Sequence, residues 1–282
     1  MSQRPYQSDL AVLNPIKRSS FTGFDLRLKP WQGGVILAAC LLTSGVSFAQ
    51  TDSTEISVFE ALLRWMPLLS KGFIFNIVIS ILAMSMGTVA GVAWGLGQIS
   101  TNVLLRKISW FVTQFFRNSP WLVLLFFAMF LLPFEISVLG FAVPFPDWLK
   151  ATIGLSLPVM ANVSEVVRGA VNSLPHGQWE AAESLGYTRR QTLWLVILPQ
   201  CVKRMMPPWM NLYAILTMAT VLASIVGVSE IMTLTGRALA AEGGRTDLLA
   251  PFYSFVLLLF FIYCYPIARW TVYLEQKFAV KG

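Results

Sequence analysis

The densest run of side chains able to do chemistry lies between Pro175 and Pro199, where His176, Gln178, Glu180, Glu183, Thr188, Arg189, Arg190 and Gln191 sit between strongly apolar blocks. Two carboxylates three residues apart share one side of a helix. With Ala181 and Ala182 between them, they suit ionic docking against a basic surface that approaches closely. Pro175 fits a first helical turn, where its missing N–H has no partner to lose, and Glu180 and Glu183 favour the positive end of that helix. Gly186 closes it in a left-handed conformation. Thr188 and Gln191 then have the spacing of a capping box, so a second helix follows, which Pro199 is expected to end. The expectation is helix, tight turn, helix, in a segment polar enough to lie in water and be gripped by a soluble partner.

Other chemistries lack their residues. His176 is the one histidine, and it builds neither a metal cluster nor a catalytic triad. No Gly-x-x-x-x-Gly-Lys-Ser/Thr loop is present to cradle a nucleotide phosphate, and no Gly-x-Ser-x-Gly elbow. Cys40, Cys201 and Cys264 stand far apart, with no disulfide framework and no metal spacing. The chain is expected to be no enzyme and to bind no cofactor itself.

The elements that position these residues are membrane helices. With 56% hydrophobic and 12% charged residues, the composition departs from a soluble domain, where about 25% are charged. Apolar runs near the ~20 residues that cross a bilayer recur along the chain. A β-barrel would show short alternating segments instead. The fold class expected is all-α polytopic, with about six transmembrane helices. The net charge of +7 is read as positive loops on the cytoplasmic side rather than as nucleic-acid binding.

Residues 1–30 read as a cytoplasmic tail and 31–49 as the first span; a signal peptide is the other reading of that run. A polar external segment follows at 50–71. The second span, 68–97, carries Ala83, Gly87, Gly91 and Gly95 at intervals of four, a stripe that lets another helix approach closely. A short basic loop with Arg106, Lys107 and Arg117 leads to a third span from 120 to 132 and an external loop at 134–148. The fourth span is expected at 149–171 with a kink at Pro158, the fifth at 208–228, and the sixth at 248–268. Glu230 is expected in solvent, or against an external partner, in a polar segment over 230–247. This path puts sixteen of the 21 Lys and Arg residues inside, with both termini cytoplasmic.

Three stretches resemble one family. Glu180-Ala181-Ala182, three residues, Gly186, nine residues, then Val196-Ile197-Leu198-Pro199 is similar to the EAA motif of permease subunits of bacterial ATP-binding-cassette importers, with Val196 where Ile is usual. Arg117-Asn118-Ser119-Pro120 and Ala161-Asn162-Val163-Ser164-Glu165-Val166-Val167-Arg168-Gly169 resemble segments of the polar amino-acid branch, with Ser164 where Ala is common. The likeness covers roughly 65–274, the expected permease core, with its coupling loop at 175–199.

The resemblance implies a type I importer architecture in the bacterial inner membrane. Its other parts are two cytoplasmic ATPase subunits that use ATP and Mg, a second permease subunit, identical or related, and an external or periplasmic substrate-binding protein. It implies ATPase coupling through Glu180, Ala181, Ala182, Gly186, Leu198 and Pro199. An amino-acid zwitterion crossing the bilayer needs polar partners, because unpaired buried charge costs several kcal/mol. Candidates for that path are Asn76, Ser80, Asn162, Glu165, Asn211 and Thr217, joined by Ser156, Thr220 and Ser224. Glu165 is the sharpest of them, and its competing role is a local pair with Arg168. Two other function classes stand beside the importer: an ion-coupled secondary transporter, which commonly shows two related halves, and a scaffold without a substrate path.

Overall fold

The computed structural model describes residues 57–138 and 141–278. The expected tail and first span, at 1–49, lie outside the described residues.

Ser57 opens the first described helix by accepting the Glu60 N–H, and α1 runs from Val58 to Gln98. At 1.5 Å per residue it is about 60 Å long, roughly twice the hydrocarbon thickness. It therefore absorbs much of the segment expected as an external loop at 50–71. A second helix, α2, spans Val103–Arg117, capped by Asn102. This replaces the expected basic loop. Across Asn118–Pro120 the chain turns by 105° into α3, Trp121–Leu131.

The expected external loop contains a two-stranded antiparallel hairpin, β1 (Glu135–Val138) and β2 (Phe141–Pro144), in the register Ile136 opposite Val143. Among the described residues the regular structure is otherwise helical. α4 spans Asp147–Asn172 and continues through Pro158. α5 (Gly177–Ser184) and the three-residue α6 (Arg189–Gln191) form the polar hairpin. A wide π turn over Thr192–Ile197 then leads without interruption into α7, Leu198–Ala219.

Pro199 therefore does not end the second helix, and the fifth span begins ten residues earlier than the sequence pattern indicates. Pro199 has no N–H to offer and its ring crowds the preceding carbonyls. The Leu198 N–H reaches back to the Leu193 oxygen, five residues away. This one-residue widening stands directly before Pro199, while α4 carries Pro158, and α7 Pro207 and Pro208, within regular helix.

After α7 a tighter 3-10 segment, Thr220–Ser224, leads past Gly227 (φ 89°) into α8, Ile231–Ala241. A short turn at Thr246–Leu248 precedes α9, Leu249–Phe278. Among the described residues, α1 and the segment Thr246–Phe278 are each long and apolar enough to cross a membrane, and the bent pair α2–α3 adds a third such stretch if it acts as one span. The polytopic helical class expected from composition is what the structure shows, with the small β-hairpin added.

The core is built where α1, α4 and α7 meet: Ile79, Ala83, Leu155, Val159, Val163, Val167, Leu212 and Leu216 form one buried cluster. The small-residue stripe on α1 faces α4, where Val159, Val163 and Val167 repeat at the same interval of four. A Cβ added to Gly87 would fall 2.5 Å from Val159 Cγ1, and one added to Gly95 2.7 Å from Val167 Cβ. Only hydrogen at these positions lets the helices come this close.

Candidate functional site

The hairpin is fixed by its own backbone. α5 ends in a Schellman motif: Tyr187 N–H donates to the Ala182 oxygen at 3.1 Å and Gly186 N–H to the Glu183 oxygen at 2.9 Å. Gly186 supplies the left-handed φ of 79°. Thr188 then makes both halves of a capping box with Gln191: its N–H donates to Gln191 Oε1 at 2.9 Å, and its Oγ1 accepts from the Gln191 N–H at 3.4 Å. Two helix ends thus meet across a turn with few free torsions.

Side chains tie this hairpin to its neighbours. Trp179 packs with Ala170, Val171, Leu174, Ile197 and Cys201, and the Arg189 guanidinium lies 5.2 Å from the centroid of its ring. Arg204 Nη1 donates to the Ser173 oxygen at 2.8 Å and to Ser173 Oγ at 2.9 Å, pinning α7 to the end of α4. Gln200 Nε2 donates to Gln178 Oε1 at 3.3 Å.

The two alanines between the carboxylates divide the work. Ala182 is buried at 3% exposure and seats α5, while Glu180, Ala181 and Glu183 face outward. Gly186 has no atom near the space a Cβ would take. Leu198 packs into the cluster beneath the hairpin and Pro199 is exposed. Sequence reasoning passed over Leu185, 76% exposed at the tip, and the exposed Trp194 and Leu195. The stretch holds more large apolar residues than its small cluster buries: Trp179, Leu193, Val196, Ile197 and Leu198 pack there, and Leu185, Trp194 and Leu195 are left outside.

The intramembrane candidates do not converge on one surface. Asn76 is completely buried. Its Nδ2 donates to Glu230 Oε2 and to Thr220 Oγ1, both at 2.9 Å, and its Oδ1 accepts the Ile231 N–H at 3.1 Å. Glu230, expected in solvent, is likewise fully buried. Its Oε1 accepts the Thr233 N–H at 3.0 Å, capping α8. A carboxylate can be buried here because it serves as a helix cap and receives an amide donor from α1.

Ser80, also buried, donates to the Ile77 oxygen at 2.8 Å and meets the Tyr213 hydroxyl at 3.4 Å, which in turn lies 2.7 Å from the Tyr263 hydroxyl. Thr217 donates to the Tyr213 oxygen at 2.9 Å and Asn162 to the Pro158 oxygen at 2.8 Å. Asn211 faces outward on α7.

Glu165 sits between two arginines. Arg168 holds it with Nη2 at 2.6 Å from Oε2 and Nε at 3.3 Å from Oε1, and Arg117 Nη1 lies 3.4 Å from Oε2. The local pair with Arg168 is thus formed, and Arg117 joins it from the end of α2. Beside this site Gln98, Thr113 and Ser164 form a buried knot: Gln98 Nε2 donates to Ser164 Oγ at 2.8 Å and to Thr113 Oγ1 at 3.2 Å, and the two hydroxyls are 3.0 Å apart. Ser164, the position at which alanine is common, is therefore the residue that links α1, α2 and α4. This arrangement orders polar groups and does no bond chemistry.

Comparison with known proteins matches this architecture to one family. The family described as "Binding-protein-dependent transport system inner membrane component" matches residues 83–280. The chain is 33% identical over 213 residues to the probable amino-acid ABC transporter permease protein YckA of Bacillus subtilis (strain 168), covering 76% of this chain and 90% of that one. It is 30% identical over 207 residues to the inner membrane amino-acid ABC transporter permease protein YhdY of Escherichia coli (strain K12), covering 72% of this chain and 55% of that longer one. A solved structure, "Crystal structure of an amino acid ABC transporter with histidines", superposes with a TM-score of 0.66 at 20% identity, over 79% of this chain and all of that one, so the fold is shared. The family match over most of the helical core, together with the fixed hairpin between α4 and α7, shows that the chain belongs to the inner membrane components of binding-protein-dependent transport systems, as a multi-pass permease subunit of an ABC importer.

Proposed function

We propose that this permease carries polar amino acids and that the hairpin at 175–199 faces the cytoplasm, where a partner ATPase grips it and drives alternating access. The observation that carries the reading is the rigidity of the hairpin joined to its outward face. Schellman motif, capping box and the Arg204–Ser173 contact leave no slack, while Glu180, Ala181, Glu183 and Leu185 are presented to solvent. A lever needs both properties. A force applied at α5 passes through the packed Trp179 to α4 and, through the unbroken π turn, to α7. Packed elements of this kind switch between discrete arrangements rather than bending gradually.

The amino-acid class is supported by the relatives, whose names specify amino-acid permeases. The assembly in this reading contains two ATPase subunits hydrolysing ATP with Mg, a second permease subunit, identical or related, and an external binding protein that delivers the substrate. Both termini lie on the cytoplasmic side.

The test uses Gly186→Asp and Glu180→Lys in the full complex. Any side chain at Gly186 meets a left-handed φ costing about 1–2 kcal/mol, and Glu180→Lys reverses the docking charge. Loss of ATPase co-purification and of uptake, with the permease still in the membrane, is the expected result. Retention of both would remove the coupling role. The ligand held by the co-purifying binding protein identifies the amino acid.

A further inference from the structure

A cavity of about 900 Å³ opens between α2 and the hairpin, and its charge is lopsided. Arg106 and Lys107 line it from α2, Arg168 from α4 and Arg189 from the hairpin, against one carboxylate, Glu183. Arg168 is largely balanced by Glu165. Arg106, Lys107 and Arg189 still leave an excess of positive charge in a concave site. Gln98 also lines the cavity, and its Oε1 is buried without a hydrogen-bond partner. The wall thus offers cations in excess.

The helix beside it is built inside out. Ser109 and Thr113 are the buried residues of α2, and Leu104, Leu105, Ile108, Phe111 and Phe115 are exposed. α2 and α3 meet at 105°, so the exposed apolar face of α2 does not continue along α3. Trp110, which lines the cavity, is itself exposed. An amphipathic helix of this kind with basic residues beside its apolar face fits the region where headgroups meet acyl chains.

We infer that this cavity binds the headgroup of an anionic phospholipid, with the acyl chains lying along Leu104, Ile108 and Phe111. A single lipid satisfies what the site presents at once. Its phosphate meets the cations, and its hydrocarbon covers the apolar face. A soluble anion supplies the first of these and leaves the face bare. An acidic segment of a partner subunit would also need an apolar flank to cover the same helix. The inference rests on the cytoplasmic orientation proposed above, which places the basic residues at the leaflet surface where anionic lipids attract them.

The experiment reconstitutes the assembled importer in nanodiscs of phosphatidylcholine, with or without phosphatidylglycerol, and measures retained phosphatidylglycerol by native mass spectrometry. At about a factor of five for each basic residue, Arg106→Gln with Lys107→Gln is expected to weaken retention about 25-fold and leave phosphatidylcholine unchanged. Equal retention in the variant and the parent would overturn the inference. Displacement of the lipid by millimolar inorganic phosphate would do the same, marking the site as one for free anions. Loss of ATPase or of the second permease from the double variant in both lipid mixtures would assign the cavity to a protein segment instead. The Gly186→Asp variant, run in parallel, reports on ATPase docking alone, so a failed coupling hairpin is told apart from a failed lipid site.

Discussion

Gly91 on α1 and Val163 on α4 stand so close that a Cβ on Gly91 would lie 2.6 Å from the Val163 Cβ and 2.7 Å from the Met160 carbonyl oxygen. Backbone is part of the obstacle, so rotating a side chain gives no relief. Gly91→Ala is expected to destabilise by about 1–3 kcal/mol through overpacking, and Gly91→Leu to abolish the assembled complex. Gly169, also helical, has nothing within reach of its Cβ, so Gly169→Ala should stabilise by about 0.5–1 kcal/mol. Thermal unfolding of the purified complex reads both signs. An unchanged midpoint in Gly91→Ala would mean that the two helices are not packed as described.

Asn76 and Glu230 give the second prediction. Removing the amide by Asn76→Ala leaves a buried carboxylate without its donor from α1 and an N–H at Ile231 without its acceptor. A cost of about 1–3 kcal/mol for each orphaned group is expected to loosen the 3-10 segment and the start of α8. Faster protease cleavage between residues 220 and 231, with the rest of the chain resistant, is the signature. Cleavage at the parental rate would show that the contact contributes nothing.

Glu165 supplies the third. Glu165→Gln leaves Arg168 and Arg117 facing each other without their shared anion, and the yield of assembled complex should fall together with uptake. Arg117→Gln should do less, because the 2.6 Å contact to Arg168 remains. If Glu165→Gln assembled normally and lost uptake alone, the carboxylate would belong to the substrate path.

The capping box is the fourth. Thr188→Ala removes the acceptor for the Gln191 N–H and should cost about 1 kcal/mol. Its exposed position makes bulk folding insensitive to it. The expected deficit is in transport per ATP hydrolysed, since the hairpin gains slack. Unaltered coupling would argue that the rigidity of the turn has no part in transmission.

Features that depend on local spacing were legible in the sequence. The interval of four in Ala83, Gly87, Gly91 and Gly95 announced a close helix contact, and the Gly186 and Thr188–Gln191 signals announced the turn that the structure contains. Features that depend on distant partners were hidden. Glu230 looked like a surface residue because it is a carboxylate at the end of an apolar run, while the amide that satisfies it comes from Asn76 on another helix. α2 read as a basic loop because Arg106, Lys107 and Arg117 stand near its two ends, and the residues it buries are Ser109 and Thr113, the reverse of the pattern for a helix in water. Pro199 read as a stop from its type alone, whereas packed helices here continue past proline, at Pro158 and Pro207 as well as after the wide turn before Pro199.

That wide turn sets a phase relation along the chain. Each helical residue advances about 100° around the axis, so one extra residue taken up between 192 and 197 re-aims the hairpin against α7 by about that angle. The nine-residue interval from Gly186 to Val196 thus counts angle as well as length. A single-residue deletion in it would leave every side chain of the motif present, the helix unbroken, and the outward face pointing at the wrong neighbour.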